Sequence, residues 1–262
     1  MNPFTTIPAF LAIRKRLLDV LEYKVPINRA KERGDHEEAR RLTAEVSEKF
    51  VDSTSKRLKI TYDVSGRENI PAKGPVLVVA NHQGSGDVLA LLEAFKGFPL
   101  GLIGKAEFQK LYFIREAALV VSSVFIVRGN AREALKTLRE AEDRFANGYS
   151  LILFPEGTRS RCGKMGHFKQ GSIKFVQKQG VPIIPVTIDG SYHLLEEYGT
   201  IKPAHIKVQI HPQVETAGAD NKELHRILNE VEDTIRSGLA TQEVYEPHVD
   251  ENGEPISKSF LK

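Results

Sequence analysis

The sequence predicts an α/β fold, with a mostly parallel central sheet flanked by helices and preceded by an N-terminal helical hairpin. Two observations predict the sheet. Short apolar runs typical of buried strands alternate with segments whose apolar residues recur at helical spacing. Strands that alternate with helices form parallel sheets, because each helix returns the chain to the start of the next strand. A third observation separates the N-terminus, since residues 1–57 contain helical patterns alone.

Composition and charge narrow the class of protein. The 262 residues are 41% hydrophobic and 27% charged, as in ordinary globular proteins, and the formal net charge is +3. A charge this mild gives no reason to expect a nucleic acid partner, but clustered cations would suit an anionic ligand. The single cysteine, Cys162, leaves no intramolecular disulfide and is interpreted as incidental. With no secretory signal or membrane-spanning run recognised, we expect a cytoplasmic or peripheral protein.

The N-terminal hairpin is predicted from two helical patterns. Residues 7–25 form an amphipathic helix that Pro26 is expected to end, and residues 35–57 form a second, mostly charged helix. Two interpretations of the hairpin are open: it packs on the core, or it lies reversibly in a lipid interface. The apolar face of the first helix carries Phe10, Ile13, Leu17 and Leu21, with Leu11 and Leu18 beside them and Arg14, Lys15 and Arg16 to the side and opposite.

Seven runs are predicted as strands. The alternating run 59–64 is expected at an edge of the sheet, and the apolar run 76–80 at its centre. Pro185 falls inside the sixth run, where its missing N–H favours a bulge or an edge position. The remaining runs are 100–105, 124–127, 149–154, 182–188 and 206–210.

Helices are predicted between and after these strands. The chain divides into the helical segment 1–57, a main domain over 58–240, and a polar tail over 241–262 that is expected to be extended or disordered. The helices of the main domain are expected over 88–96, 108–118, 131–146, 170–179 and 224–235.

The main candidate for chemistry follows the central strand. His82 comes just after the run 76–80, and Asp87 lies five residues later, at the start of the next helix. A tight turn can bring the Asp87 carboxylate to one imidazole nitrogen, which leaves the other nitrogen facing outward as a general base. Ligands of open α/β sheets bind at such strand ends. The structural alternative is that Asp87 caps the helix and His82 is a satisfied polar residue.

Cations collect at the ends of other predicted strands. Lys105, Arg128 and Arg159 stand at or just beyond apolar runs, where a cation is costly unless an anion meets it. If the strands are parallel, all three lie along one edge and can converge on an anionic site. Guanidinium groups and the backbone N–H groups near Gly157 suit a phosphate. The alternative for each cation is a solvated surface charge.

The sequence gives little support for a metal site, a nucleotide-binding loop or a nucleophilic serine. Glu156 is expected to orient Arg159 or to cap a turn rather than to transfer a proton. No metal-ligand spacing, P-loop or Gly-x-Ser-x-Gly elbow is found, and Gly84-Ser85-Gly86 has the wrong spacing for a nucleophilic serine. We therefore expect no metal and no cofactor.

Five blocks in a fixed order carry a resemblance to a known family. They are Asn81-His82-x4-Asp87, Lys105-Ala106-Glu107-Phe108, Phe125-Ile126-Val127-Arg128, Phe154-Pro155-Glu156-Gly157-Thr158-Arg159-Ser160 and Val181-Pro182-Ile183-Ile184-Pro185-Val186. Together they resemble the glycerolipid acyltransferase family, which bacterial 1-acyl-glycerol-3-phosphate acyltransferase typifies. The resemblance covers about residues 59–215. Its most specific part is the first block paired with the fourth.

The resemblance implies a reaction and its partners. A fatty acyl group would pass from acyl-carrier protein or acyl-CoA, as co-substrate, to the free hydroxyl of the lysophospholipid 1-acyl-glycerol-3-phosphate, giving phosphatidic acid in phospholipid synthesis. The protein would work as a peripheral protein at a membrane surface, on the inner face of the cell membrane. The implied roles are His82 as general base, Asp87 as its orienting partner, Glu156, Gly157, Thr158 and Arg159 at the glycerol phosphate, Lys105 and Arg128 assisting, and Pro182 and Pro185 on the acyl-donor side.

Two departures from the family pattern leave the acceptor open. Val127 stands where many members have an acidic residue before the arginine, and the segment after Lys105 lacks a common proline. The alternatives are another acceptor, such as a lyso-aminolipid, glycerol-3-phosphate or dihydroxyacetone phosphate, hydrolysis of the thioester by water, and a catalytically silent lipid-binding module.

Overall fold

A seven-stranded sheet organises the part of the chain that the structure, a computed structural model, describes: residues 3–126, 131–173, 176 and 179–247. Its strands are β1 (Ile60–Ser65), β2 (Leu77–Ala80), β3 (Leu100–Lys105), β4 (Val124–Ile126), β5 (Ser150–Leu153), β6 (Ile183–Asp189) and β7 (Ala204–Ile210). They are ordered β1-β7-β6-β2-β5-β3-β4, and only β6 and β7 pair antiparallel. The predicted fold class is confirmed, with β1 at an edge and β2 at the centre.

Helices lie before the sheet and on both of its faces. The described α-helices are α1 (Pro3–Leu21), α2 (Lys24–Glu32), α3 (His36–Leu58), α4 (Asp87–Ala94), α5 (Tyr112–Val120), α6 (Ala131–Ala146) and α7 (Asn221–Ser237). Short 3-10 helices cover Arg67–Asn69, Ala106–Lys110 and Ser191–Leu194. No helix in the described ranges is both long and apolar enough to cross a bilayer.

The core has two layers because side chains of a strand alternate between the faces of the sheet. Val78 and Ile184 belong to the layer that α3 and α4 cover. Leu77 and Ile183, one residue earlier, belong to the opposite layer, which α6 and α7 cover. All four side chains are fully buried, so β2 and β6 form a rigid centre from which the loops beyond their ends project.

The N-terminal helices differ from the prediction at Pro26. The first helix ends at Leu21, and Pro26 lies in the first turn of α2. A proline is tolerated there because first-turn N–H groups have no partner within the helix. The predicted pair is present as α1 and α3, which pack together, and Asp35 caps α3 by accepting a hydrogen bond from the Glu38 N–H at 3.0 Å.

Pro185 lies at a bulge, which is one of the two positions predicted for it. The pairs Ile183–Val214 and Val186–Ile210 enclose two residues on β6 but three on the facing segment. The Pro185 carbonyl accepts a hydrogen bond from His211 N–H at 2.9 Å. The strand is interior, so the bulge lets the sheet tolerate a residue that cannot donate.

Two predicted helices are altered. The segment predicted over 108–118 starts as the 3-10 helix Ala106–Lys110 and becomes α5 at Tyr112. Between 170 and 179 no α-helix is assigned at the described positions, where Val176 N–H bonds to the carbonyl three residues earlier, that of Ile173. Gly171 and Ser172 are weak helix formers, which favours turns. Residues 174, 175, 177 and 178 lie outside the described residues.

Two further segments lie at the predicted boundaries of the main domain. Helix α3 ends at Leu58, whose side chain, like that of Val51, is buried in the layer over the sheet. Of the tail, the structure describes residues 241–247, where Val244 forms a bridge with Met165. The division into 1–57, 58–240 and 241–262 stays a prediction.

Candidate active site

The site lies where β2 and β5 end. These strands are parallel neighbours in the sheet, and Val79 pairs with Leu153, so the two loops leave at the same level. The loop after β2 carries His82, and the loop after β5 carries Glu156 and Arg159. Two sequence blocks that are far apart in the chain therefore meet at one edge.

His82 and Asp87 form a closed pair. The Nδ1 atom of His82 lies 2.6 Å from Oδ2 of Asp87, which is fully buried and also accepts the Gly84 N–H at 2.9 Å. The Ser191 hydroxyl donates to the other carboxylate oxygen, Oδ1. Since an ionised carboxylate only accepts hydrogen bonds, Nδ1 carries the proton and the lone pair is on Nε2. Such a nitrogen can accept a proton from a substrate.

The imidazole ring of His82 is held but still accessible. The Phe154 ring stacks on it with a centroid distance of 4.1 Å and an interplanar angle of 14°. The side chain keeps 21% of its surface exposed. Phe154 and Asp87 thus fix the orientation of the ring, while part of it stays open to a ligand.

Glu156 lies beneath this pair. Its Oε1 accepts the backbone N–H of His82 at 2.6 Å, and its Oε2 accepts that of Gly166 at 2.8 Å. Burial raises the pKa of Glu156 to about 8, because its effect outweighs that of the two N–H donors, which lower the pKa. The residue is only 5% exposed, and its two hydrogen bonds link the His82 and Gly166 loops. The expected contact between Glu156 and Arg159 is not found among the described hydrogen bonds, in which Arg159 donates to Ser85 and Glu196.

Backbone hydrogen bonds join the two loops further. Ser160 N–H donates to the His82 carbonyl at 2.8 Å, and Arg161 N–H donates to the Gln83 carbonyl at 3.0 Å. The turn before them needs Gly157, whose φ of +69° lies in the left-handed region that other residues rarely adopt. The loop after β5 is therefore docked on the loop after β2.

Two buried amides extend the sheet to this level. The Asn81 side chain donates to the Ile188 carbonyl and accepts the Ile188 N–H, both at 2.8 Å. The side-chain oxygen of Gln83 accepts the Gly190 N–H at 2.9 Å. These bonds replace the strand ladder where β2 has ended, and they anchor the His82 backbone to β6.

Arg159 is held at one nitrogen. Its Nη1 donates to the Ser85 hydroxyl at 2.7 Å and to Oε1 of Glu196 at 2.9 Å. About a third of the Arg159 side chain, 32%, stays exposed. The cation predicted for an anion is thus present at the site, beside the turn that contains His82.

The other predicted residues lie at varied distances from His82. Thr158 is partly buried in the docked loop between Gly157 and Arg159. Lys105 ends β3, which is separated from β2 by β5, so it stands two strand spacings, roughly 10 Å, along the edge. Arg128, like Val127, lies outside the described residues.

The two prolines are not brought to this edge. The Pro182 carbonyl accepts the Leu77 N–H, at the amino end of β2 and β6, and Pro185 pairs with Val79 within the sheet. No described contact joins either of them to His82. Their placement on the acyl-donor side stays a prediction.

Sequence reasoning did not single out Ser191 or Glu196. Both follow β6, the other parallel neighbour of β2, in the segment after Asp189-Gly190. The signal that identified His82, polar residues after an apolar strand, was present there too. To use that signal, one must know that β6 lies next to β2 in the sheet.

These features define the class of protein: an open α/β sheet with a histidine–carboxylate pair and an arginine at the carboxyl ends of its parallel strands. Known proteins resemble this chain in sequence and in fold. The family model described as "Acyltransferase" matches residues 61–189. A solved structure, that of the 1-acyl-sn-glycerophosphate (LPA) acyltransferase PlsC from Thermotoga maritima, is similar with a TM-score of 0.66 and 32% identity over 86% of this chain and 95% of that one.

Curated relatives agree with the family model. A probable 1-acyl-sn-glycerol-3-phosphate acyltransferase of Mycoplasma pneumoniae is 38% identical over 53% of this chain and 53% of its own length. A 1-acyl-sn-glycerol-3-phosphate acyltransferase of Chlamydomonas reinhardtii is 30% identical over 71% of this chain and 55% of its own length. The matches thus span about half the length of these two relatives. The chain belongs to the glycerolipid acyltransferase family.

Proposed function

We propose that this protein transfers a fatty acyl group from a thioester to the free hydroxyl of 1-acyl-glycerol-3-phosphate, forming phosphatidic acid. The observation that carries the proposal is the His82–Asp87 pair at 2.6 Å, with Nε2 left to accept a proton. Its place next to the Arg159 loop, in a member of this family, supports a phosphate-bearing acceptor.

The proposed reaction is a direct transfer. Nε2 of His82 takes the proton of the acceptor hydroxyl as its oxygen attacks the thioester carbonyl carbon. The carbon–sulfur bond then breaks, and the leaving thiolate receives the proton from the imidazolium. Asp87 stabilises the imidazolium while it exists, because its carboxylate already accepts the Nδ1 hydrogen. General-base catalysis of this kind contributes about 10²–10⁴-fold.

Arg159 is proposed to bind the acceptor phosphate, since guanidinium groups pair with phosphate oxygens through two parallel hydrogen bonds. Lys105, along the same edge, would add positive charge. Glu156 would act from below, by fixing the His82 backbone through its bond at 2.6 Å rather than by touching the acceptor. Acyl-carrier protein and coenzyme A both present a thioester, so either is a candidate donor.

A membrane surface is the proposed place of action. Nine of the ten large hydrophobic side chains exposed in the described chain lie in residues 7–25 and 108–119. We call them the apolar surface; they are Ile7, Phe10, Leu11, Leu18, Val25, Phe108, Leu111, Tyr112 and Leu119. Exposed apolar side chains concentrated in two segments whose helices pack together indicate an interaction site.

A lipid bilayer is the occupant that the surroundings of the apolar surface favour. Helices α1 and α5 pack together, with the Arg14 guanidinium 4.3 Å from the Phe113 ring centroid. Arg14 and Lys15 are exposed cations within α1. Basic and apolar residues side by side suit an anionic lipid interface. Phe108 lies three residues after the end of β3, at the edge of the sheet that carries His82, so docking would bring this edge to its lipid substrate.

The test is acyl transfer to lysophosphatidic acid from acyl-carrier protein and from acyl-CoA. Wild type is expected to form phosphatidic acid, and His82→Ala is expected to lose it while keeping the fold. The matched control is His225→Ala, an exposed histidine on α7, which should behave as wild type. Near-normal turnover by folded His82→Ala would contradict the mechanism. If product formed only with a different acceptor, transfer to that acceptor would replace the proposed function. If free fatty acid formed without any acceptor, thioester hydrolysis would replace it.

A further inference from the structure

A buried carboxylate outside the sequence blocks holds Arg159 in place. Oε1 of Glu196 accepts three hydrogen bonds, from Ser85 N–H at 2.8 Å, from the Ser85 hydroxyl at 2.7 Å and from Arg159 Nη1 at 2.9 Å. The Glu196 side chain is only 1% exposed. A carboxylate this buried is costly unless it is paired, so the contact with Arg159 is part of the folded site.

We propose that Glu196 is a positioning residue for acceptor binding. Its carboxylate accepts a hydrogen bond from Arg159 Nη1, so that the remaining N–H groups of the guanidinium face the acceptor phosphate. The proposal rests on the proposed function, in which Arg159 binds that phosphate. Within the described residues, both side-chain hydrogen bonds of Arg159 leave from Nη1. The donors on Nε and Nη2 form the other edge of the guanidinium, the kind of fork that phosphate binds.

Glu196 lies in close contact with the turn between His82 and Asp87. Its second oxygen, Oε2, is buried without a hydrogen-bond partner among the described residues. It lies where Gly84 leaves room, since a Cβ at that glycine would come within 2.6 Å of it. Ser85 belongs to the turn between His82 and Asp87, so the Glu196 carboxylate links the arginine to the same turn that orients the base.

If Glu196 orients Arg159, its variants should change the kinetics in a specific way. A long arginine side chain loses rotational freedom when it binds phosphate, and a contact that fixes it beforehand reduces that cost. Glu196→Ala should therefore weaken binding of the acceptor while the proton transfer at His82 is little affected. Glu196→Gln should lie between this variant and wild type, because its amide oxygen can still accept from Ser85 and Arg159.

The experiment compares acyl transfer to lysophosphatidic acid with transfer to a monoacylglycerol of the same chain, which lacks the phosphate. Glu196→Ala is expected to raise KM for lysophosphatidic acid about tenfold, with kcat changed less than about twofold, and to leave kcat/KM for monoacylglycerol unchanged. The control is Glu197→Ala, the exposed neighbour that pairs with His193. It should match wild type.

A double-mutant cycle separates positioning from a general structural effect. If Glu196 acts through Arg159, Glu196→Ala adds nothing in an Arg159→Ala background. Additive losses, or equal losses with both acceptors, would overturn the proposal. A lower KM in Glu196→Ala would also overturn it, by showing that the carboxylate competes with the phosphate. Should Glu196→Ala not fold, Glu196→Gln supports the same cycle.

A measurement without the donor keeps this inference distinct from the proposed function. Calorimetric titration with a short-chain lysophosphatidic acid is expected to show an affinity about tenfold weaker for Glu196→Ala than for wild type. That result stands even if wild type transfers no acyl group, in which case the reaction is wrong and the positioning role is not. Equal affinities would overturn the positioning role, whatever the activity of wild type.

Discussion

At the residue scale, four groups fix the His82 imidazole and its backbone. Asp87 accepts the Nδ1 hydrogen, Phe154 stacks on the ring, Glu156 accepts the His82 backbone N–H, and the His82 carbonyl accepts the Ser160 N–H. If His82 is the base of the proposed reaction, it would not need to reorganise before it accepts a proton, and such preorganisation is a large part of catalytic power.

Asp87→Asn tests whether the carboxylate sets the tautomer. An asparagine amide can place a donor opposite Nδ1, which moves the imidazole hydrogen to Nε2 and leaves no lone pair for the substrate proton. We expect kcat to fall by about 10³-fold or more, with the fold intact. Steady-state kinetics with lysophosphatidic acid is the measurement.

The control for that variant is Asp233→Asn, an exposed aspartate on α7, which should leave kcat at the wild-type value. If Asp87→Asn kept kcat within about tenfold of wild type, orientation by Asp87 would contribute little, and the pair would be structural.

At the scale of elements, the site depends on two loops docked onto one another and on two helices that form an outer surface. The apolar face of α1, predicted from its period, is only partly used in packing. Ile13 and Leu17 of that face pack against buried clusters, whereas Phe10 is 47% and the adjoining Leu11 58% exposed. Helix α5 lies against α1 and extends this exposed surface, so the two helices act as one unit.

Replacing Phe10 and Leu11 together by serine tests the apolar surface. Both side chains are about half exposed, so the change should not disturb the core, but it removes area that would be buried in lipid. Binding to vesicles of phosphatidylglycerol, followed by sedimentation, is expected to weaken roughly tenfold or more. Truncation of residues 1–56 would be a poorer test, because Val51 of α3 is buried against the sheet.

The matched control is Tyr198→Ser. Tyr198 is 56% exposed but lies outside the apolar surface, so its replacement should leave sedimentation as in wild type. Equal loss of binding in both variants, or none in either, would count against docking through α1 and α5.

At the scale of the whole molecule, a buried carboxyl group in the site couples folding to pH. Burial raises the pKa of Glu156 to about 8 from an ordinary value of 4.5. Between these values the folded protein keeps a proton that the unfolded chain releases. Folding is therefore most favoured by this group below about pH 4.5, and its contribution is lost as pH rises through about 8.

Glu156→Gln checks this linkage. The free energy of unfolding of wild type, from urea titrations between about pH 5 and 9, should fall relative to the variant by on the order of 1 kcal/mol per pH unit, and level off above the folded pKa. The difference between the two proteins cancels the other titrating groups. Parallel pH curves would show that Glu156 does not hold this proton.

The sequence by itself determined the elements and the main candidates for chemistry. Period and composition were enough for all seven strands and for the alternation that makes the sheet mostly parallel, because these depend on local patterns of burial. The spacing of His82 and Asp87 was enough to predict their contact, because a single tight turn joins them. The family blocks followed from the same residues.

Only the tertiary structure decided which loops meet. Strand order places β5 and β6 on either side of β2, and no local pattern encodes that order. It puts Glu156 under His82 and brings Ser191 and Glu196 to Asp87 and Arg159, while it leaves Pro182 at the far end of β6. These contacts join residues far apart in the chain, and their energies come from burial and hydrogen bonding that exist only once the sheet has formed.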